Sequence, residues 1–160
     1  YLVSHPDVNH VVFTGSVVTG KKILHAAADK AIPAVVELGG KSAGIVYPDA
    51  DIDKVVNSAK SAIFGVAGQI CSAMSRLVVH KSIKKELVNK LIDLTKSLKV
   101  GPGTDPEVEM GPLISKQHLD KVTSFVDRGV QEGADLLVDG RSISLQGYEN
   151  GYFVETSKRE

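Results

Sequence analysis

The segment from residue 11 to residue 38 constrains the fold more than any other part of this chain. Val11-Val12-Phe13 is a short run typical of a β-strand, and residues 17–30 follow with the apolar spacing of a helix. Pro33 ends that helix, and a second apolar run begins at Ala34. A strand, a helix and a strand so close together predict a βαβ unit, the building block of a parallel sheet.

The rest of the chain alternates helices and strands as well. Gly39-Gly40 interrupts the pattern, and we expect a domain boundary there. Beyond it, the sequence predicts a helix capped by Asp49 or Asp51, a strand at 76–80, a helix at 82–98, a helix at 116–132 that Gly133 closes as a left-handed cap, and a strand at 136–138. The predicted fold class is therefore α/β, with both halves incomplete.

Composition excludes several partner classes. The chain has 19 Lys and Arg against 19 Asp and Glu, so no net field draws it to nucleic acid or to an anionic membrane. No apolar run has the length of a membrane span, and the N-terminus lacks a signal-peptide pattern. A single Cys favours a reducing, cytoplasmic compartment. The chain begins with Tyr1 rather than Met, so we expect a piece of something longer.

The only cysteine, Cys71, has an unusual setting. Gly65 and Gly68 precede it, and it lies between a predicted helix and the strand that begins at Arg76. Glycines let the backbone approach a ligand closely, and a thiol there acts as a nucleophile when its thiolate is stabilised or a base lies nearby. Cysteine is also among the most buried residue types, so packing in the core is the alternative interpretation.

Glu37 is the second candidate. It follows the apolar residues 34–36 and therefore lies at the C-terminal end of a predicted parallel strand, where ligand crevices open in such sheets. A carboxylate at that edge can take a proton from water as a general base. The alternative is a strand-end Glu that faces solvent or pairs with Lys41.

Five short stretches are more specific together than any one of them. They are residues 13–20 (FTGSVVTG), 37–42 (ELGGKS), 68–71 (GQIC), 110–115 (MGPLIS) and 151–155 (GYFVE). In this order, and with Glu37 placed 34 positions before Cys71, they resemble motifs of the NAD(P)-dependent aldehyde dehydrogenase superfamily. Arg76 follows the cysteine as it commonly does in that family, and the resemblance covers nearly the whole chain.

The resemblance implies a mechanism. Cys71 would attack the aldehyde carbonyl to form a thiohemiacetal, whose oxyanion the Cys71 backbone N–H and an upstream amide would stabilise. Hydride transfer to nicotinamide would leave a thioester on Cys71. Glu37 would then activate the water that hydrolyses this thioester to the carboxylic acid.

The same resemblance implies a fold and a cofactor. Residues 1–38 would end a Rossmann-like parallel-sheet cofactor domain, and residues 39–160 would begin an α/β catalytic domain. NAD or NADP would be bound at a site formed by Phe13, Gly15, Ser16, Leu38 and Gly39, with no metal. The lack of a Gly-x-Gly-x-x-Gly motif agrees with the family's departure from the usual dinucleotide fingerprint.

The chain also departs from the family. Many members carry Asn, one further residue and then Gly-Gln before the nucleophile, whereas Val66-Ala67 stand here. We interpret this as a difference in the substrate pocket or in the residues that surround it. The family's oxyanion Asn lies upstream of this chain, and its Glu-Ile-Phe-Gly-Pro motif lies downstream. We therefore expect an internal piece that is inactive by itself and associates with itself or with complementary segments, and a full-length protein that is a homo-oligomer.

Three other functions remain open at this point. The chain could be a truncated, non-catalytic binding module, although the intact Glu37 and Cys71 pair argues against that for the full-length protein. A CoA-acylating dehydrogenase has less need of a base, so the presence of Glu37 favours water as the acceptor. A cysteine hydrolase would pair Cys71 with one of five histidines, none of which falls in a local signature with it. The sequence does not identify the aldehyde.

Overall fold

The chain has the predicted α/β fold. The structure, a computed structural model, describes residues 1–154, so Glu155 of the last motif lies outside the described residues. The chain divides into two compact units, Tyr1–Lys41 and the part from Ser42 onward. This division lies close to the expected boundary at Gly39, while the assignment of a cofactor domain and a catalytic domain stays a prediction.

The first unit is the βαβ element that the sequence predicts. It contains β1 (Val11–Gly15), α1 (Val17–Asp29) and β2 (Ala34–Leu38), and the two strands pair in parallel. The buried residues of α1 are Gly20 and Ala27. Because α1 packs on the strand pair, alternate residues of β2 become half-buried and those between them stay exposed.

The second unit contains the remaining helices and strands. In chain order they are β3 (Ala43–Val46), α2 (Ile52–Ala59), a π-helical turn (Lys60–Phe64), a short 3₁₀ segment (Gly65–Gly68), β4 (Arg76–Val79), α3 (Lys84–Ser97), α4 (Lys116–Gln131), β5 (Ser142–Ile143) and β6 (Phe153–Val154). β3 and β4 pair in parallel, and β5 and β6 pair antiparallel. The path from β3 through α2 to β4 is thus a second parallel crossover.

The core of the second unit lies between α2, α3 and the parallel strand pair. Val46, Val56 and Leu87 are its buried centre, and Leu87 has no exposed surface. The half-buried side chains around them come from the same elements and their flanking loops: Ala50, Ile52, Val55, Leu77, Val79, Ile83, Leu91 and Leu94. The leucine spacing of α3 therefore marks a genuine buried face, as its sequence pattern predicts.

Most predicted elements are confirmed. Asp51, one of the two candidate caps, accepts a hydrogen bond from the backbone N–H of Lys54 at the start of α2. Helix α4 ends at Gln131, and Gly133 follows with a φ of 93°, the left-handed conformation expected of it.

One predicted strand is wrong. The apolar run at 136–138 forms no strand in the structure. The next strand along the chain is β5, which pairs with β6. Leu136 and Leu137 remain 44% and 53% exposed, and no described strand lies beside them to complete a hydrogen-bond ladder. A strand needs a partner as well as apolar side chains, and the sequence pattern reports only the side chains.

Across residues 1–154, no helix combines the length and the apolar character that crossing a membrane requires.

The end of α1 generates a stability prediction. Ala31 adopts a φ of 53° there, while its N–H donates to the carbonyl of Ala28 and the N–H of Ile32 donates to the carbonyl of Ala27. This left-handed cap is usually glycine because a Cβ is strained in it. Ala31→Gly is therefore expected to raise the free energy of unfolding by about 1 kcal/mol. Denaturant unfolding followed by circular dichroism measures the change.

The matched control is Ala28→Gly, inside the last turn of the same helix. Glycine there only adds backbone freedom to the unfolded chain, so it should lower stability by roughly 0.5–1 kcal/mol. Equal effects of the two substitutions would contradict the left-handed cap.

Candidate active site

The first group of predicted site residues lies at the C-terminal ends of β1 and β2. The parallel register pairs Thr14 with Glu37 and Gly15 with Leu38. A Cβ on Gly15 would come 2.5 Å from Cζ of Phe13, so the Phe13 ring lies over this glycine. Since ligands of open parallel sheets bind outside the carboxyl ends of the strands, this edge is where a ligand would be expected.

The two last residues of β2 face opposite ways. A Cβ on Gly20 of α1 would come 2.6 Å from Cδ2 of Leu38, so the Leu38 side chain packs on the helix. Side chains alternate along a strand, and Glu37 therefore points to the other face, where Val35 is also exposed. The Glu37 carboxylate is exposed to solvent within this unit.

The start of α1 offers backbone N–H groups beside Gly15. Ser16 is the N-cap of the helix, and its Oγ accepts a hydrogen bond from the N–H of Thr19 at 3.2 Å and donates one to Oγ1 of Thr19 at 3.0 Å. The first turn carries no acidic side chain. The N-terminal end of a helix attracts anions, so this end of α1 fits a phosphate group.

Cys71, the predicted nucleophile, lies on a tight turn of the second unit. The N–H of Ala73 donates to the carbonyl of Ile70 at 3.1 Å, so Cys71 and Ser72 are the two central residues of that turn. The cysteine is exposed in this chain, so it does not pack in the core of the described unit. Within residues 1–154, the Cys71 backbone N–H donates to no protein acceptor.

The segment that leads to this turn departs from regular helical geometry. The π-helical turn Lys60–Phe64 is followed by Val66 with φ 50°, Ala67 with φ 52° and Gly68 with φ 72°. Three successive left-handed residues are rare, and two of these carry a Cβ. Both π-helical turns and such strained residues are common near functional sites.

An apolar cavity of about 310 Å³ lies behind this segment in the second unit. Its walls come from the segment before Cys71, from the loop 110–113, from α3 and α4, and from the loop before β5; they include Phe64, Ala67, Met110, Leu113 and Val126. Cys71 itself does not line it. The cavity therefore borders the back of the Cys71 loop and not its thiol.

Two side-chain contacts tie the segment before Cys71 to the loop that precedes α4. Lys60 forms an ion pair with Glu109, and Gln69 bonds to the backbone of Ile114. The sequence did not reveal that Gln69 links the two segments, because its hydrogen-bond partner, Ile114, lies 45 residues away. The only available signal was its place inside the GQIC motif.

The predicted residues thus form two groups. Phe13, Gly15, Ser16, Glu37 and Leu38 cluster at one end of the first unit, and Gly39 follows them directly in exposed backbone. Cys71 belongs to the second unit. The catalytic and cofactor-binding roles of these residues stay predictions.

Comparison with known proteins identifies the family. The model of the aldehyde dehydrogenase family matches residues 1–157. The chain belongs to the aldehyde dehydrogenase family.

Similar proteins include several betaine aldehyde dehydrogenases. The enzyme of Mesorhizobium japonicum is 44% identical over 96% of this chain, and the chloroplastic enzyme of Beta vulgaris is 43% identical over 96% of it. The crystal structure of betaine aldehyde dehydrogenase from Staphylococcus aureus in complex with NAD⁺ superposes with a TM-score of 0.92 at 40% identity and 96% coverage. This aldehyde dehydrogenase chain spans about a third of the length of these relatives, 32%, 30% and 31% respectively.

The Lys60–Glu109 pair gives the site a pH-dependent contact. The hydrogen bond from Lys60, and then that from the Lys99 N–H, lower the pKa of Glu109 below its ordinary value of 4.5. A carboxyl whose pKa is lowered by folding adds stability above its unfolded pKa and loses it as the pH falls through the folded value. Lys60→Met should therefore reduce stability at neutral pH, and the gap to the wild type should close below about pH 4.5. Urea unfolding across this pH range measures it.

Lys54→Met is the matched control, since it removes a looser pair with Asp51 at 3.6 Å in which Lys54 is 84% exposed. It should change stability little at any pH. A Lys60→Met deficit that stays constant from neutral pH to pH 3 would contradict the charge interaction.

Proposed function

We propose that the whole protein oxidises an aldehyde to a carboxylic acid with NAD(P)⁺. The observation that carries this proposal is that Cys71 is exposed on a turn and that the Cys71 backbone N–H has no protein acceptor within the described residues. A thiol beside an N–H group that can bind a developing oxyanion is suited to attack a carbonyl carbon.

Cys71 acts first in this proposal. Its thiolate adds to the aldehyde carbonyl, and the C=O oxygen gains the negative charge that the Cys71 N–H stabilises. Cys71 and Ser72 occupy the central positions of the turn that the hydrogen bond from Ala73 to Ile70 closes. The result is a thiohemiacetal covalently bound to Cys71.

The end of β1 and the start of α1 hold the dinucleotide in this proposal. The first turn of α1 would bind phosphate through its N–H groups, Gly15 allows close approach, and the Phe13 ring packs against that glycine. Leu38 and Gly39 would contribute backbone, because the Leu38 side chain packs on α1. When bound, NAD(P)⁺ supplies the hydride acceptor that turns the thiohemiacetal into a thioester.

Glu37 acts last. Its carboxylate lies at the end of β2 on the face away from α1, open to water. As a general base it takes a proton from a water molecule, which attacks the thioester carbonyl and releases the carboxylic acid and the Cys71 thiolate.

The relatives suggest which substrate and cofactor to assay first. Several are named betaine aldehyde dehydrogenases, and one is solved with NAD⁺, so betaine aldehyde and NAD⁺ are the first pair to assay. An exposed thiol such as Cys71 persists in a reducing compartment, which favours the cytoplasm. We also propose a homo-oligomer. Apolar side chains such as Val12, 68% exposed, and Ile45, 68% exposed, are open on the strand pairs of the chain, where a second copy or the rest of the whole protein can cover them.

Two substitutions in the full-length protein test the proposed roles. Cys71→Ala should lower aldehyde-dependent NADH formation at least about a thousandfold, because the nucleophile is lost. Glu37→Gln should keep a first burst of NADH but slow steady turnover by roughly a hundredfold, because only hydrolysis of the thioester needs the base. Stopped-flow and steady-state NADH absorbance separate these phases.

Ser75→Ala and Glu132→Gln are the controls, as both residues are exposed and have no part in the proposed site. Full activity of Cys71→Ala would overturn the mechanism. Product analysis distinguishes the CoA-acylating alternative: acyl-CoA as the product, with turnover unaffected by Glu37→Gln, would replace water with CoA as the acceptor.

A further inference from the structure

The turn before Cys71 is conformationally costly. Val66, Ala67 and Gly68 are all left-handed, with φ of 50°, 52° and 72°. A β-branched residue such as Val66 is especially unfavourable there, since its Cβ substituents crowd the backbone. Strain of this kind persists only where surrounding contacts hold the chain in place.

Gln69 supplies those contacts. Its backbone N–H donates to the carbonyl of Val66 at 3.1 Å, and its side-chain Nε2 donates to the same carbonyl at 3.1 Å. Its Oε1 accepts a hydrogen bond from the N–H of Ile114 at 3.2 Å. Both ends of one carboxamide are thus engaged, one on the strained turn and one on another loop.

The other loop is firmly anchored. Met110 and Leu113, on either side of the Gly111-Pro112 pair, are only 6% and 5% exposed. The N–H of Leu113 also donates to the carbonyl of Tyr152 at 2.8 Å. Gln69 therefore ties the left-handed turn to Ile114, an exposed residue that directly follows the buried Leu113. Only Ile70 separates Gln69 from Cys71.

We propose that Gln69 is a positioning residue for Cys71: its carboxamide holds residues 66–68 in the left-handed conformation and thereby fixes the turn that presents the thiol. This inference rests on the proposed nucleophilic role of Cys71. Gln69 acts through the backbone and does not touch the reacting atoms. A displacement of about 1 Å at a reacting group is enough to slow a reaction strongly.

An ester substrate tests the nucleophilic attack by Cys71 alone, because acylation by an ester needs neither the cofactor nor the oxidation of an aldehyde. When p-nitrophenyl acetate reacts with Cys71, a bond forms between Sγ and the acetyl carbon, the bond to p-nitrophenolate breaks, and the thiol proton passes to solvent. The burst of p-nitrophenolate measures the acylation rate constant in the full-length protein. Gln69→Leu keeps the size of the side chain and removes both of its hydrogen bonds, so we expect acylation to slow about tenfold.

The matched control is Gln131→Leu, at the exposed end of α4. Its acylation rate should remain within about twofold of the wild type. A Gln69→Leu variant that acylates as fast as Gln131→Leu would overturn the inference.

A double-mutant cycle with Val66→Gly distinguishes positioning from general support of the fold. Glycine adopts the left-handed conformation without steric cost, so the turn then depends less on the hydrogen bonds of Gln69. In the Val66→Gly background, the further loss on adding Gln69→Leu should shrink to about threefold or less. The same tenfold loss in both backgrounds would overturn the link through the turn.

A third variant keeps the inference testable if Gln69→Leu does not fold. Gln69→Glu retains an acceptor for the Ile114 N–H and replaces the donor to Val66 with an oxygen, so its acylation should also slow and should be rescued by Val66→Gly. A wild-type rate in Gln69→Glu would overturn the inference. A wild-type burst in Cys71→Ala would overturn the nucleophile itself, whereas a Cys71-dependent burst that ignores Gln69 overturns only the positioning role.

Discussion

Parallel strand pairing is the constraint on which both units of the chain depend. A parallel pair cannot be closed by a tight turn, so each pair needs a long crossover that also covers one face of the sheet. Helix α1 is that crossover between β1 and β2, and α2 begins the crossover between β3 and β4. The strands and crossovers also determine where the two candidate catalytic residues lie. Glu37 lies where a strand ends, whereas Cys71 lies within a crossover, just before β4 begins at Arg76.

The long second crossover explains why the Cys71 loop is held by side chains. After α2, the chain leaves helical geometry through a π-helical turn and three left-handed residues before it reaches β4. Irregular backbone of this kind has few internal hydrogen bonds, so its conformation has to be imposed from outside. The loop that precedes α4 contacts this segment through Gln69 and Lys60, and we propose that these contacts keep it in one conformation.

Sequence reasoning predicted what local chemistry determines and missed what distant contacts determine. The Asp51 cap, the buried face of α3 and the left-handed Gly133 follow from residues within a turn of each other, and the structure confirms all three. The left-handed Val66 could not be predicted, because its intrinsic preference opposes that conformation. The predicted strand at 136–138 was wrong for a related reason: its apolar side chains favour a strand, but no described strand lies beside it to pair with.

The two contacts that hold the Cys71 loop differ in a way that matters for function. The Lys60–Glu109 pair depends on charge, so salt and acid weaken it, and both side chains are about one-third exposed. The Gln69 carboxamide is neutral at every pH, and its bonds to Val66 and Ile114 persist where the ion pair does not. Gln69 is also closer in sequence to Cys71, so in our proposal the neutral contact positions the thiol, whereas the charged contact adds stability to the same loop. In our proposal, the contact that positions Cys71 therefore carries no charge that pH could change, whereas the Lys60–Glu109 contact does.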